Sequence, residues 1–396
     1  MKKVTRVFSI VLLSVLGLIL VGFLSFYLLI VVGLSPKLQT TWICSAMRTM
    51  HHKYLATAFF SDDYIEYIMK ANEVDDTGYD SELLTFAVKE TEPETEPEEE
   101  PVVVPPETEE ETEEVPETEE TETEPETEPP ETEPPETETE PPETEPPAPP
   151  EPTDYLGQGY EMLEEGLYLK QVSGLTWRGY VMLVQDPKRV KVTDTSQQYY
   201  CGENVMTMTK NAGAVAGING SGFQDGPNYD SNGGMPSGLI IEDGVLVCPL
   251  KPDETVYNMI GINTDGVLLL RHCTAQWALE NNVVSAVSFM PFLIVNGEGL
   301  VKNGTGGWGI APRTAIGQRE TGEILLLVID GRQADWSIGC DLDVLQDVLL
   351  EEGAVNASML DGGSSTAMVY NGEYINRPSL GHERWINNAF VVMPAQ

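Results

Sequence analysis

The chain has 396 residues and a formal net charge of -42 at pH 7. Residues 90–151 contain 28 glutamates and no lysine or arginine, which leaves a net charge of -14 for the rest of the chain. The acidity therefore belongs mainly to one low-complexity segment, and the basic composition typical of nucleic-acid-binding proteins is absent.

The N-terminus is predicted to be a membrane anchor comprising residues 1–35. Lys2, Lys3 and Arg6 precede an apolar run from Val7 to Gly33. Its roughly 27 residues exceed the ~20 needed to cross the hydrocarbon core and the about 7–15 of a signal-peptide apolar region. No small-x-small motif follows, which favours a retained anchor over a cleaved signal. Because positive flanks stay in the cytoplasm, we expect the rest of the chain to lie outside the cell.

Residues 36–88 are predicted to be a juxtamembrane helical segment rather than a domain. Ser61 is a typical helix N-cap, and two acids follow it in the first turn. One apolar face of this helix carries Ile65, Ile68 and Met69. We expect that face to lie against the membrane or a partner.

Residues 89–153 are predicted to be a disordered spacer built of Thr, Glu and Pro repeats. The segment has too few apolar residues to bury a core, and its charges repel one another. At ~3.1 Å per residue, its ~60 residues would reach on the order of 190 Å when stretched. Such a spacer is expected to carry an outer domain away from the membrane, through the cell wall of a Gram-positive-type bacterium. Buffering of cations by the acids is the alternative.

Residues 154–396 are predicted to fold as one α+β domain, with a mixed β-sheet rich in hairpins and a few packing helices. The dipeptides Asp243-Gly244, Asp265-Gly266 and Asn296-Gly297 each lie beside apolar runs and are typical of tight hairpin turns. Thr274–Asn281 is a candidate helix. Hairpins early in the domain and a crossover later argue against a purely parallel sheet.

The crossover consists of a strand at Ile324–Ile329, a helix at Asp341–Glu352 and a strand at Val355–Leu360. A strand–helix–strand unit of this kind makes the two strands parallel. Both strands then end at the same edge of the sheet. Asp330 and Asp361, which directly follow the strands, are therefore expected to lie near each other.

Four polar motifs punctuate this domain, and their order and spacing resemble the phosphodiester glycosidase domain family. That family includes the mammalian uncovering enzyme and many bacterial exopolysaccharide-associated proteins. The resemblance covers roughly residues 170–394 and continues through the NRPS motif at 376–379. It implies hydrolysis of a sugar-1-phosphodiester. The motifs are GINGSGF (217–223), GGMPSGLI (233–240), APRTAIG (311–317) joined to IDGR (329–332), and LDGGSST (360–366).

The residue types in these motifs suit that reaction. Positive charge builds on the sugar ring during glycoside cleavage, and a carboxylate can stabilise it or activate water, so Asp361 and Asp330 are the catalytic candidates. The departing phosphate needs a counter-charge, which the planar fork of arginine supplies. Arg313 and Arg332 are the first candidates for that role, and Arg384 is the third.

The predicted substrate-binding groups surround the same point. Backbone N–H groups of residues 362–365 are expected to bind the phosphate. Asn219 either binds sugar hydroxyls or is a left-handed turn residue. The substrate-binding prediction comprises Asn219, Gly220, Gly362, Gly363, Ser364, Ser365, Thr366 and Arg384.

Each catalytic assignment has a structural alternative. For the two aspartates the alternative is shaping the loop that follows, and for Arg313 and Arg332 it is an ion pair. Ser364 is rejected as a covalent nucleophile, because neither His272 nor His382 lies in a motif that would make it the base.

We therefore expect an outward-facing, membrane-anchored hydrolase of a phosphate-linked glycan or glycolipid in the cell envelope or exopolysaccharide. A non-catalytic phosphoglycan-binding module and an accessory protein or transferase of polysaccharide assembly are the alternatives. No cofactor is required, although calcium or magnesium would suit two aspartates and a phosphate. The five cysteines lack zinc-ligand spacing, and for the four in the C-terminal half disulfides and free thiols both remain open.

Overall fold

A computed structural model describes residues 2–49, 52–81, 157–226, 231–302 and 304–395. The predicted spacer, residues 89–153, lies outside the described residues. The described residues all belong to one compact unit.

The N-terminal helix α1 (Lys2–Phe26) continues as a π-helical turn, Tyr27–Val31. The stretch Ile10–Val31 is long and apolar enough to cross a membrane, and none of its side chains is buried within the protein. These properties are compatible with a single-pass anchor or with a signal sequence.

Three short helices follow, and they pack on one another. Ser61 caps the third of them by accepting a hydrogen bond from the N–H of Tyr64, as its sequence predicts. The apolar face that carries Ile65 and Ile68 is buried within the chain, in a cluster with Ile43 and Cys44. The expectation that this face meets the membrane or a partner is therefore wrong. The helices are α2 (Pro36–Met47), α3 (Tyr54–Thr57) and α4 (Asp62–Ala71).

Within the described part of residues 157–395 there are three further helices and eighteen strands. The helices are α5 (Val205–Asn211), α6 (Ala275–Glu280) and α7 (Leu342–Glu351). The strands are β1 (Glu161–Glu164), β2 (Leu167–Ser173), β3 (Arg178–Val184), β4 (Val190–Asp194), β5 (Ala216–Asn219), β6 (Ile240–Glu242), β7 (Val245–Cys248), β8 (Tyr257–Asn263), β9 (Leu268–Cys273), β10 (Val283–Ser288), β11 (Phe292–Val295), β12 (Glu298–Gly299), β13 (Arg313–Arg319), β14 (Ile324–Ile329), β15 (Ala354–Leu360), β16 (Met368–Tyr370), β17 (Glu373–Tyr374) and β18 (Asn388–Val392).

These strands form three sheets. The largest has the order β1-β2-β3-β14-β13-β15-β11-β12, and the two five-stranded sheets have the orders β7-β6-β10-β8-β9 and β17-β16-β5-β18-β4. The α+β class, with a sheet-rich body and few helices, is confirmed. All five cysteines are free thiols.

The predicted crossover is present. Asp341 caps α7 by accepting from the N–H of Val344, and Gly353 follows the helix with a φ of +85°. β14 and β15 each pair antiparallel with β13, so they run parallel to each other and end at the same edge. However, β13 lies between them, which separates their backbones by roughly 10 Å.

Two of the three predicted hairpin dipeptides form two-residue turns, whereas Asp265 and Gly266 lie in a longer connection, residues 264–267, between β8 and β9. Asp243 and Gly244 join β6 to β7, and Asn296 and Gly297 join β11 to β12. All four residues have positive φ angles, between 46° and 81°. That geometry is the type I′ turn, whose twist matches the flanking strands.

Candidate functional site

Asp361 lies at the end of β15, where the ends of two sheets meet. Its N–H donates to the carbonyl of Gly220 at 3.1 Å, and its own carbonyl accepts from the side-chain amide of Asn219 at 2.6 Å. Burial raises the pKa of the Asp361 carboxyl to about 6, against the opposing effects of the Ser365 hydroxyl and the charge of Arg384. This carboxyl is therefore ionised at neutral pH but readily protonated in mild acid.

Arg384 is fixed next to Asp361 by an ion pair that the sequence did not reveal. Its Nη2 lies 2.5 Å from Oδ1 of Asp225, and its guanidinium lies over the ring of Phe223 at 4.7 Å. The two paired side chains are only 12% and 17% exposed. Asp225 and Phe223 were missed, although both lie in or directly after the GINGSGF motif.

Arg332 supplies a second positive charge close to the site loop, residues 362–366. It adopts a left-handed backbone conformation, with a φ of 61°. A Cβ at Gly363 would lie 3.1 Å from its Nη2, so only glycine allows the guanidinium so close to the loop. Burial lowers the pKa of Arg332, and the charge of Asp361 raises it. Among the described residues no hydrogen bond to this guanidinium is present, so its donors remain available to a ligand.

Most N–H groups of the site loop already donate hydrogen bonds within the protein. Gly363 donates to the carbonyl of Pro312 at 2.9 Å, Ser365 donates to that of Gly362 at 3.2 Å, and the Gly362 N–H bonds the Asp361 carboxyl. Ser364, Ser365 and Thr366 are buried. These N–H groups already have partners, and anion binding by the loop backbone or by the arginines stays a prediction.

Asn219 and Gly220 support the loop. Asn219 is the last residue of β5, fully buried and in an extended conformation rather than a left-handed turn. Its Oδ1 accepts from the Thr314 hydroxyl at 2.8 Å and from the Ala367 N–H at 3.1 Å. A Cβ at Gly220 would overlap Oδ1 of Asn388, so glycine is required for this close approach.

Asp330 is held by three hydrogen-bond donors. Its carboxylate accepts from the indole N–H of Trp336 at 2.8 Å, the amide of Asn376 at 2.9 Å and the N–H of Arg377 at 3.0 Å. Burial raises the pKa of this carboxyl, and these hydrogen bonds lower it. β13 separates the two strands that Asp330 and Asp361 follow, and the expectation that their carboxyl groups lie near each other stays a prediction.

Arg313 is likewise engaged elsewhere. Its guanidinium donates to the carbonyls of Cys340 at 3.3 Å, Trp308 at 3.1 Å and Gly309 at 2.5 Å. The residue is 3% exposed, and burial lowers its pKa to about 10. These contacts hold the loop before β13, and the predicted role of Arg313 at a phosphate stays a prediction.

The described residues contain no group of three or more His, Cys, Asp or Glu side chains that could hold a metal ion. The acid that acts on Asp361 is Asp225, which is already paired with Arg384. Calcium or magnesium binding therefore stays a prediction.

Comparisons with known proteins agree with the motifs. A sequence model of the phosphodiester glycosidase family matches residues 212–393, which include all the predicted site residues. The SPbeta prophage-derived uncharacterized protein YomE of Bacillus subtilis is 29% identical over 210 residues, covering 48% of this chain and 29% of that protein. Two N-acetylglucosamine-1-phosphodiester alpha-N-acetylglucosaminidases also match. The Bos taurus protein is 32% identical over 30% of this chain and 25% of its own length, and the Mus musculus protein is 24% identical over 58% and 47%.

This chain thus spans less than half the length of these curated relatives. Among solved structures, the catalytic domain of the zebrafish N-acetylglucosamine-1-phosphodiester alpha-N-acetylglucosaminidase is 25% identical, with a TM-score of 0.48. The match covers 58% of this chain and 82% of that one.

Proposed function

Because residues 212–393 belong to the phosphodiester glycosidase family, we propose that this chain hydrolyses the glycosidic bond of a sugar-1-phosphodiester. The observation that carries the proposal is the electrostatic interaction of Asp361 with two arginines. The guanidinium of Arg332, whose pKa the charge of Asp361 raises, lies close to Gly363, and the charge of Arg384 acts on the Asp361 carboxyl. A carboxylate with flanking cations suits a substrate that joins a sugar to a phosphate.

In this mechanism Asp361 acts on the sugar. Cleavage builds positive charge on the anomeric carbon and the ring oxygen, and the ionised carboxylate stabilises that charge or activates water. Since its pKa is about 6, most Asp361 side chains carry the required charge above that pH. Ser365, which hydrogen-bonds the carboxyl, fixes its orientation.

The arginines act on the phosphate. A phosphate monoester is a weak base and leaves without a proton, provided that its developing charge is matched. Arg332 has free donors for this purpose and forms planar, paired hydrogen bonds to oxyanions. Arg384, which is held by Asp225, adds a fixed positive charge and limits where the phosphate can lie.

Asp330 and Arg313 are assigned to positioning rather than to chemistry. Asp330 anchors the segment that carries Asn376 and Arg377, and Asn376 in turn donates to the Thr366 carbonyl at 3.4 Å. Arg313 anchors the loop before β13. Both side chains fix backbone segments close to the site, and their charged groups are engaged in hydrogen bonds within the protein.

The proposal is tested with the full-length chain in detergent. Sugar-1-phosphodiesters that differ in the sugar are incubated with it, with and without a chelator, and free sugar is measured. Wild type should release sugar and Asp361→Asn should not, while circular dichroism shows that both are folded. Asp335→Asn is the matched control, because that acid is 83% exposed, and it should keep full activity. Turnover by Asp361→Asn would remove Asp361 from its role.

The cellular setting is part of the same proposal. We place residues 1–35 as the anchor, 36–88 outside the membrane, 89–153 as the spacer and 154–396 as the hydrolase, facing a phosphate-linked glycan or glycolipid of the envelope or exopolysaccharide. The apolar stretch Ile10–Val31 supports this setting. The chain should stay with membranes in alkaline carbonate and be digested by protease added to intact cells. A carbonate-soluble chain would contradict the anchor.

A further inference from the structure

The segment between the apolar helix and the spacer is bound tightly to the hydrolase domain. Its helical part contacts the loop 305–310: the N–H of Ile310 donates to the Ser45 hydroxyl at 2.9 Å, and Arg48 donates to the Gly307 carbonyl at 3.2 Å. The Arg48 guanidinium also lies 4.2 Å from the ring centre of Trp308. These contacts join residues more than 250 positions apart in the sequence.

The extended part of the segment covers a sheet edge. β9 is the last strand of its sheet, so one side of its backbone is otherwise unpaired. Ser81 donates through its N–H to the Leu270 carbonyl at 2.9 Å, and its hydroxyl accepts from the Leu270 N–H at the same distance. Asp80 accepts from the N–H of His272 and forms an ion pair with Arg271.

Asp76 is the most deeply engaged polar group of the segment. It is 7% exposed, and its Oδ2 accepts from the N–H of Phe292 and the amide of Asn258, both at 3.0 Å. Its Oδ1 lies 3.4 Å from Nε2 of His272. Two residues earlier, Val74 is buried in the main hydrophobic core of the domain. Separating the segment from the domain would leave both this carboxylate and its partners without their hydrogen bonds, which costs free energy.

The apolar helix is joined to the same segment. Phe26, near the end of α1, packs edge-on against Trp42 at 4.9 Å and Phe59 at 5.4 Å. The side-chain amide of Gln39 donates to the Ile30 carbonyl at 2.7 Å. The contacts therefore run without a break from α1 through the juxtamembrane helices to the hydrolase domain.

We propose that residues 36–81 are a permanently docked part of the hydrolase domain, and that this docking, rather than the spacer, holds the domain to its anchor. The acidic repeat then connects two parts of one folded unit in the sequence. It does not set the distance between domain and membrane. The site is held at a fixed, short range from the anchor.

The loop that the docked segment contacts is itself hydrogen-bonded to residues of the candidate site. Arg313 donates to the carbonyls of Trp308 and Gly309, in the loop that Arg48 and Ser45 contact. Pro312, at the end of that loop, accepts from the N–H of Gly363 in the loop that follows Asp361. Residues 36–81 therefore contact the loop whose neighbouring residue, Pro312, holds the loop after Asp361.

The direct test cuts the spacer. A recognition sequence for a site-specific protease is inserted between Glu120 and Thr121 of the full chain, which carries a tag at its N-terminus. Membranes are treated with the protease and washed at high dilution, so that the spacer no longer supplies a high effective concentration. We expect the C-terminal fragment to remain with the tagged one. Its prompt release into the wash would overturn the proposal.

Two matched pairs of variants locate the contact. Gly309→Ala places a Cβ onto the Ser45 backbone, whereas Gly304→Ala has open space and a similar positive φ, 52° against 64°. After cutting, the fragment should be lost from Gly309→Ala and kept by Gly304→Ala. Asp76→Asn should likewise weaken retention more than Asp75→Asn, because Asp75 is exposed. Circular dichroism of each uncut chain establishes that it is folded, and equal retention within both pairs would refute this docking surface.

Discussion

Replacing Asp330 tests whether a buried acid beside the site serves structure or chemistry. Asp330→Ala removes the acceptor of three donors: the Trp336 indole, the Asn376 amide and the Arg377 N–H. Asn376 is 5% exposed and cannot recruit water freely, whereas Trp336 and Arg377 are partly or fully exposed and can. Each buried donor left unpaired costs about 1–3 kcal/mol, and a donor that water can reach costs less. We therefore expect the free energy of unfolding to fall by about 3–4 kcal/mol.

That loss corresponds to a fall of roughly 10 °C in the melting temperature of a domain of this size. Asp330→Asn keeps one carbonyl acceptor and should lose about half as much. Thermal unfolding of the full chain in detergent, followed by near-UV circular dichroism, measures both. Asp335→Ala is the control and should change stability by less than about 0.5 kcal/mol. An Asp330→Asn variant that melts like wild type but has lost all turnover would show that Asp330 is catalytic and refute the positioning role.

Further predictions concern protonation and packing. Activity should rise with pH through about 6, as Asp361 becomes ionised, and an activity plateau extending well below pH 5 would contradict this role. Burial raises the pKa of Asp361 in the folded state, so wild type loses stability as the pH rises from about 4 to 6 and this carboxyl ionises. The neutral variant Asp361→Asn avoids that loss. In urea unfolding it should be about 1–3 kcal/mol more stable than wild type at pH 8 and equal to it near pH 4. The pKa of Asp194 is raised to about 7 by burial and by Glu242, so Asp194→Asn should also raise the melting temperature at pH 8 and not at pH 4. Gly220→Ala, whose Cβ would overlap the Asn388 side chain, should sharply lower the yield of folded protein in detergent, whereas Gly372→Ala, in open space but at a φ of +77°, should cost only about 1–2 kcal/mol.

Local signals in the sequence predicted much of the fold. The helix at Asp341–Glu352 has its N-cap, apolar face and terminal glycine within thirteen residues, and the structure places α7 there. The Asp243-Gly244 and Asn296-Gly297 turns are equally local, because the dipeptide itself favours the positive φ angles that the turn needs. Strand order is different. Nothing near β14 or β15 indicates that β13 lies between them, since that pairing depends on residues far along the chain.

The same limit explains what was missed at the site. Asp330 and Asp361 have the same local pattern, an acid at a strand end followed by glycine, and both were assigned to catalysis. Their difference arises from distant partners: Asn376 and Arg377 enclose Asp330, forty-six and forty-seven residues further on. Asp225 was missed because its partner Arg384 lies 159 positions away. Spacing alone identifies acids at strand ends, but the partners of each carboxylate come from residues far along the chain.

The central claim is that the glycosidic bond, and not the bond between phosphorus and oxygen, is broken. Hydrolysis of a sugar-1-phosphodiester in water enriched in oxygen-18 distinguishes the two, with the products analysed by mass spectrometry. Attack at the anomeric carbon places the label on the released sugar and leaves the phosphate unlabelled, which is the predicted result with wild type and is absent with Asp361→Asn. Label in the phosphate would show that the chain is a phosphodiesterase and would contradict the proposal.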